Sequence, residues 1–152
     1  MAADASAEPR AWEQVLQHIE RRLLDPLEIL VDSDLAGLRR KAEAAAESFA
    51  ARLLGPDDRD ATWAAATLIG ALYPDDTAFD PPADWWRTPL GRAVLRRVGH
   101  PSATAVPYAL AGAMLGITRQ GVHDLVVRGK LSRHPDGGVT VSSVRERELG
   151  RA

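Results

Sequence analysis

Proline and glycine divide this chain into a series of helix-length pieces. Asp25-Pro26, Gly55-Pro56, Pro74, Pro81-Pro82, Thr88-Pro89, Gly99 and Gly116 each stand where an apolar periodicity stops or starts. Proline drives the residue before it out of the helical region, and glycine readily takes the left-handed conformation that ends a helix. Between these marks apolar residues recur at steps of three and four, so the reading is mostly α. Residues 1–9 read as a frayed terminus, and a first helix is expected over 10–24, with Trp12, Val15, Leu16, Ile19 and Leu23 on one face. Asp25-Pro26 should end it, leaving 27–31 as an apolar connector. Ser33 is then the expected N-cap of a long helix over 34–54. Its seam of Leu35, Leu38, Ala42, Ala45, Phe49 and Leu53 suits either a two-helix dimer or an intramolecular core. A third helix, from Asp57 or Asp58 to Tyr73, is apolar nearly all round and should lie centrally.

The charge distribution divides the chain at the same punctuation. Residues 1–85 hold 8 Lys+Arg against 17 Asp+Glu, a net −9, whereas residues 86–152 hold 11 against 4, a net +7. Different partners are therefore expected for an acidic helical region, 1–85, and a basic module, 86–152, joined by the loop 75–84. Cysteine is absent, which excludes disulfides, thiolate metal sites and a cysteine nucleophile. A reducing cytoplasm is the expected compartment. No apolar run reaches the roughly 18 residues of a membrane span, and no signal peptide is visible.

Within the basic half, Thr88-Pro89 should cap a helix over 89–98, stopped by Gly99. Leu90, Val94, Leu95 and Val98 are its expected buried side, and Arg92, Arg96 and Arg97 a solvated face. Residues 107–128 then have the spacing of two helices crossing at a tight turn. Ala111 and Gly112 provide the small residues at the closest approach, and Gly116 permits the turn through positive φ. Ala111, Leu115, Ile117, Val122 and Leu125 are the expected shared core. Thr118 is the expected N-cap of the second helix, leaving Arg119, Gln120, His123, Asp124 and Val127 facing outward. Arg and Gln are the side chains that pair with guanine and adenine edges. Gly121, inside this helix, costs about 0.5–1 kcal/mol relative to alanine, either for a close backbone approach or as a tolerated loss.

These residues resemble the winged helix-turn-helix of the excisionase and MerR-like class of DNA-binding proteins. The resemblance runs from Val106 to Leu149. In that class an Arg-Gly-x-Leu step leads from the second helix into a two-stranded wing, and Arg128-Gly129-Lys130-Leu131 matches it. The implied strands are 131–133 and 139–141, joined at Pro135-Asp136-Gly137-Gly138, and Ser143 with Glu146 forms a capping box for a last helix over 144–149. The resemblance further implies that the second helix enters the major groove while the wing brings Lys130, Arg133 and His134 near phosphates.

The expected architecture is thus an N-terminal helical region followed by a winged helix-turn-helix with a short β-wing. The expected function is sequence-specific binding of double-stranded DNA, as a transcriptional regulator. Thr118, Arg119, Gln120, His123, Arg128, Lys130, Arg133 and His134 form the candidate interface. A homodimer or protein partner is expected through the N-terminal helices. The alternatives are an antitoxin-like or adaptor protein, whose acidic helices bind a partner, and an excisionase-like recombination accessory factor. No enzyme is expected: Asp57, Asp58, Asp60, Asp75 and Asp76 sit at helix starts or in loops, with no nucleophile or base beside them. No cofactor or metal is expected either, since His18, His100, His123 and His134 have no ligand spacing. Trp85-Trp86 reads as a hydrophobic anchor for the linker or as an exposed aromatic site.

Overall fold

Pro26 does not end the first helix. In the computed structural model, which describes residues 7–151, α1 (Ala7–Ile19) runs through a π-helical turn at Glu20–Leu24 into α2 (Asp25–Val31). Proline lacks an N–H and crowds the carbonyl four residues back. The wider turn, with the Asp25 N–H donating to the Glu20 carbonyl, accommodates both defects. The expected connector 27–31 is therefore helical, and its stop is Asp32, held at φ 48°. Of the expected frayed terminus, residues 1–6 lie outside the described residues, and α1 already includes residues 7–9.

The next helix, α3 (Ala36–Leu54), starts two residues later than expected. Asp34, not Ser33, satisfies its first turn by accepting from the Ala36 N–H at 2.9 Å. Ala42, Ala46, Ala50 and Leu53 are buried where α3 packs against α1 and α4 (Asp58–Leu72); of the expected seam, Ala42 and Leu53 are thus intramolecular core, Leu35, Ala45 and Phe49 are half-buried, and Leu38 stays exposed. Trp12 Nε1 ties α1 to the Glu43 carbonyl at 3.2 Å. Asp57 caps α4 by accepting from the N–H groups of Arg59 and Asp60. Trp63 stays half-exposed, stacked on Phe49 and with the Arg52 guanidinium over its ring at 4.8 Å, so α4 is two-sided and not central.

Two compact units result, Met1–Asp76 and Thr77–Ala152. The division lies nine residues before the expected 85/86 boundary because the segment after Thr77 belongs to the second unit. Phe79 meets Trp85 edge-on at 5.2 Å, and the Ser102 hydroxyl donates to the Phe79 carbonyl at 2.6 Å. Trp85 and Trp86 lie in a 3₁₀ turn (Ala83–Arg87) and are buried in this unit's core, as an anchor and not as an exposed site.

That core is built from α5 (Pro89–Arg97), α6 (Tyr108–Leu115), α7 (Arg119–Val127), α8 (Val141–Gly150) and a two-stranded antiparallel sheet. Leu90, Val94, Leu95, Met114, Leu115, Val122, Val139 and Val144 fill it around Trp86. Thr88 caps α5, its Oγ1 accepting from the Gly91 N–H. The sheet differs from expectation. Its strands are β1 (Ala105–Val106) and β2 (Val139–Thr140), with Ala105 opposite Thr140 and Val106 opposite Val139. The expected strand 131–133 meets β2 only through a single Arg133–Val139 bridge and the Thr140 N–H donating to the Ser132 carbonyl. Val141 already belongs to α8, which Thr140 caps. Ser143 is buried inside α8, where its hydroxyl donates to the Thr140 carbonyl and accepts from the Ser132 N–H, so it is not the expected cap.

Candidate nucleic-acid interface

The local chemistry of α6 and α7 fixes how the candidate side chains are displayed. Gly116 ends α6 at φ 69°, and the chain reverses within three residues. Thr118 then caps α7, its hydroxyl accepting from the Gly121 N–H at 3.0 Å. The close approach is at Gly112, where a β-carbon would stand 2.7 Å from the Ile117 carbonyl oxygen. At Gly121 the corresponding nearest atom is Thr118 Oγ1 at 3.4 Å, so no backbone crowding requires glycine there. Ala111, Leu115 and Val122 are buried as expected, whereas Ile117 and Leu125 are only half-buried.

With Val122 turned inward, Arg119, Gln120 and His123 are exposed on α7. The Gln120 amide donates to Asp124 at 3.1 Å, and the His123 ring lies 6.2 Å from that of Tyr108. Across from them, Gly137 and Gly138 turn the chain at φ 107° and 74°. Gly138 is pressed against the Val106 carbonyl, so a side chain has no room there. The turn holds His134 firmly: its N–H donates to the Gly138 carbonyl, its carbonyl accepts from the Gly137 N–H, and its Nδ1 accepts from the Asp136 N–H at 3.1 Å.

Arg119, Arg133 and His134 thereby line one open groove of about 700 Å³, together with Pro107, Tyr108 and Gly138. Arg128 and Lys130 are exposed beyond the C-terminal end of α7 and do not line it. The ion pairs Arg39 with Asp25 and Glu28, and Arg87 with Asp84, lie away from the groove, and neither Arg119 nor Arg133 is joined to an acid by them. Sequence reasoning missed Tyr108 as a groove residue, because it was read only as part of the first helix. The signal was present in Pro107, which starts α6 and turns Tyr108 into its first helical position.

A second basic cluster joins α5 to α8. Arg92, Arg96 and Arg151 surround a pocket of about 320 Å³ with Leu115, Gly116 and Glu148. Arg151 donates to the Leu115 carbonyl at 2.6 Å, and Arg145 Nε to the Arg96 carbonyl at 2.9 Å. These arginines complete carbonyls at helix C-termini, where positive charge is favoured. Arg96 and Arg97 are thus partly buried and not a purely solvated face.

His100 is the buried titratable group of this unit. Its Nδ1 accepts from the N–H groups of Ser102 (3.1 Å) and Ala103 (2.9 Å), and its ring lies 5.2 Å from that of Trp86. Desolvation lowers its pKa from 6.5, and the nearby charge of Asp80 opposes that shift. Among the described residues, no three His, Asp or Glu side chains are grouped to hold a metal ion, and no helix is long and apolar enough to cross a membrane. No family model, curated protein or solved structure matches the chain.

Proposed function

We propose that residues 77–152 form a winged helix-turn-helix that binds double-stranded DNA in a sequence-specific manner, as a transcriptional regulator of the excisionase and MerR-like kind. The observation that carries this reading is the groove between α7 and the 135–138 turn, with Arg119 on one wall, Arg133 and His134 on the other, and no acid paired to either arginine among the described residues. A helix with exposed Arg, Gln and His at its first two turns presents donors and acceptors to base edges in the major groove. Arg119 pairs with guanine O6 and N7. Gln120 exchanges its bond to Asp124 for the N6 and N7 edge of adenine. Arg133 and His134 hold the flanking phosphates, while Arg128 and Lys130 add charge at the far end of the helix.

The test is selection from a randomised DNA pool with sequencing of the bound fraction, repeated with Arg119→Ala and Gln120→Ala. An enriched motif that relaxes at one base position in each variant supports base readout. Binding without enrichment reduces the reading to backbone contact, and no binding refutes it.

A further inference from the structure

The π-turn before Pro26 leaves α2 with an apolar face that no described residue covers. Leu24 is turned inward, and the two acids of α2, Asp25 and Glu28, are both paired with Arg39 of α3. What remains outward is Leu23, Pro26, Leu27, Ile29, Leu30 and Val31, all exposed, with Ile29 at 79 % and Leu30 at 82 %. Leu23, Leu27 and Leu30 stand at the i, i+4, i+7 spacing of a helix-packing row, and Val31 and Pro26 flank it. Exposed leucines are ordinary singly, but a continuous apolar helix face marks an interaction surface.

We propose that this face is the contact between two copies of the chain, packed helix on helix about a two-fold axis. The face is self-complementary: it carries no charge, because the acids of α2 are turned to Arg39, so two copies meet without opposing like charges. Its size fits. The five Leu, Ile and Val side chains expose about three side chains' worth of surface, near 300 Å² on each copy at about 100 Å² per side chain. Two copies remove about 600 Å², which at the roughly 65 % apolar content of homodimer interfaces corresponds to about 900 Å² in all before Pro26 is counted. That falls just short of the roughly 1,000 Å² that stable specific interfaces clear and within the range of weak, transient contacts, so the dimer is weak and reversible. An anionic lipid surface is the poorer occupant, since residues 1–76 hold 8 Lys+Arg against 15 Asp+Glu and are repelled by it. The proposal stands independently of DNA binding.

The chain contains no cysteine, so a single introduced thiol reports on the contact. In sedimentation equilibrium the full chain is expected to dimerise weakly and reversibly, and Leu30→Glu to weaken this at least tenfold with an unchanged circular dichroism spectrum. On mild oxidation Leu27→Cys is expected to form a covalent dimer, and Glu47→Cys, exposed on α3, to remain monomeric. A wild-type chain that stays monomeric at about 0.5 mM overturns the proposal. So does a dimer untouched by Leu30→Glu in which both thiols cross-link equally.

Discussion

Two glycines nine residues apart should respond to alanine with opposite signs. At Gly112 the new β-carbon meets the Ile117 carbonyl oxygen at 2.7 Å, with Thr118 C and Arg119 N at 3.4 and 3.5 Å behind it. All three are backbone atoms of the turn into α7, so relief requires α6 and α7 to part by about half an ångström. Overpacking of this kind costs about 1–3 kcal/mol. Helix propensity returns about 0.5–1 kcal/mol of that, because Gly112 lies inside α6. The net expectation for Gly112→Ala is a destabilisation centred at about 1 kcal/mol and reaching about 2.5, at roughly 4–8 °C in Tm per kcal/mol for a unit of this size. At Gly121 the nearest atoms are side chains at 3.4–3.6 Å, ordinary contacts, so the propensity term stands alone. Gly121→Ala is expected to stabilise by about 0.5–1 kcal/mol. Urea unfolding of the full chain, with hydrogen exchange resolved over α6 and α7, separates this unit's response from that of the other. Equal shifts at the two positions, or a more stable Gly112→Ala, would refute the reasoning that the α6–α7 approach is set at Gly112.

Gly91 is more crowded still, with the Trp85 carbonyl and Trp86 Cα against its position, so Gly91→Ala is expected to cost more than about 3 kcal/mol and to expose the indoles, read as a red shift in tryptophan emission. His100 has its pKa lowered in the fold, so the unfolded chain binds its proton first as pH falls. Its contribution is complete well above 6.5 and is lost as pH drops through 6.5 toward the lowered value; His18, lowered chiefly by desolvation, acts in the same direction. His100→Asn retains an acceptor for the Ser102 and Ala103 N–H groups and is expected to reduce the stability loss between about pH 7.5 and 5.5, while the share of His18 persists. For DNA binding, Arg133→Ala is expected to weaken all sequences alike and to reduce the slope of log K against log salt by about 0.9, whereas Arg119→Ala changes the preferred base. An Arg133→Ala variant with altered base preference but unchanged salt slope would reverse the two roles.

The parts of the second unit that were legible in its sequence are those governed by one or two neighbouring residues. Thr88 and Thr118 cap their helices because a hydroxyl before the first turn finds an orphan N–H within three residues. Gly116, Gly137 and Gly138 adopt positive φ where the turns demand it. The sheet was misplaced because a two-residue strand carries no periodicity to read. Ser132 and Arg133 look as suitable a partner for Val139 as Ala105 and Val106 do. What selects β1 is tertiary: Gly138 brings β2 against the Val106 carbonyl, and the Thr104 carbonyl accepts from the Val141 N–H. The candidate cations were found from residue type, but their grouping was not. Arg119 and Arg133 come together through the 134–138 turn, and Arg128 and Lys130 are left outside it.

The first unit was less legible, and the reason lies in how proline is read. Asp25-Pro26 stops a helix only if the preceding turn is α-helical, since the clash is with the carbonyl four residues back. When the chain inserts a π-turn, the Glu20 carbonyl accepts from Asp25 instead, and the helix continues. Nothing local in Glu20–Leu24 announces that turn. Its support is distant: Arg22 donates to the Leu72 carbonyl at 2.9 Å, and Arg39 holds Asp25 and Glu28. The same extension converts 27–31 from a connector, whose apolar residues require no explanation, into a helix whose apolar face is exposed among the described residues. The buried part of the α3 seam and the exposed face on α2 are thus linked: the π-turn carries one continuous helix from α1, which packs on α3 against Ala42 and its neighbours, into α2, whose apolar residues stay exposed.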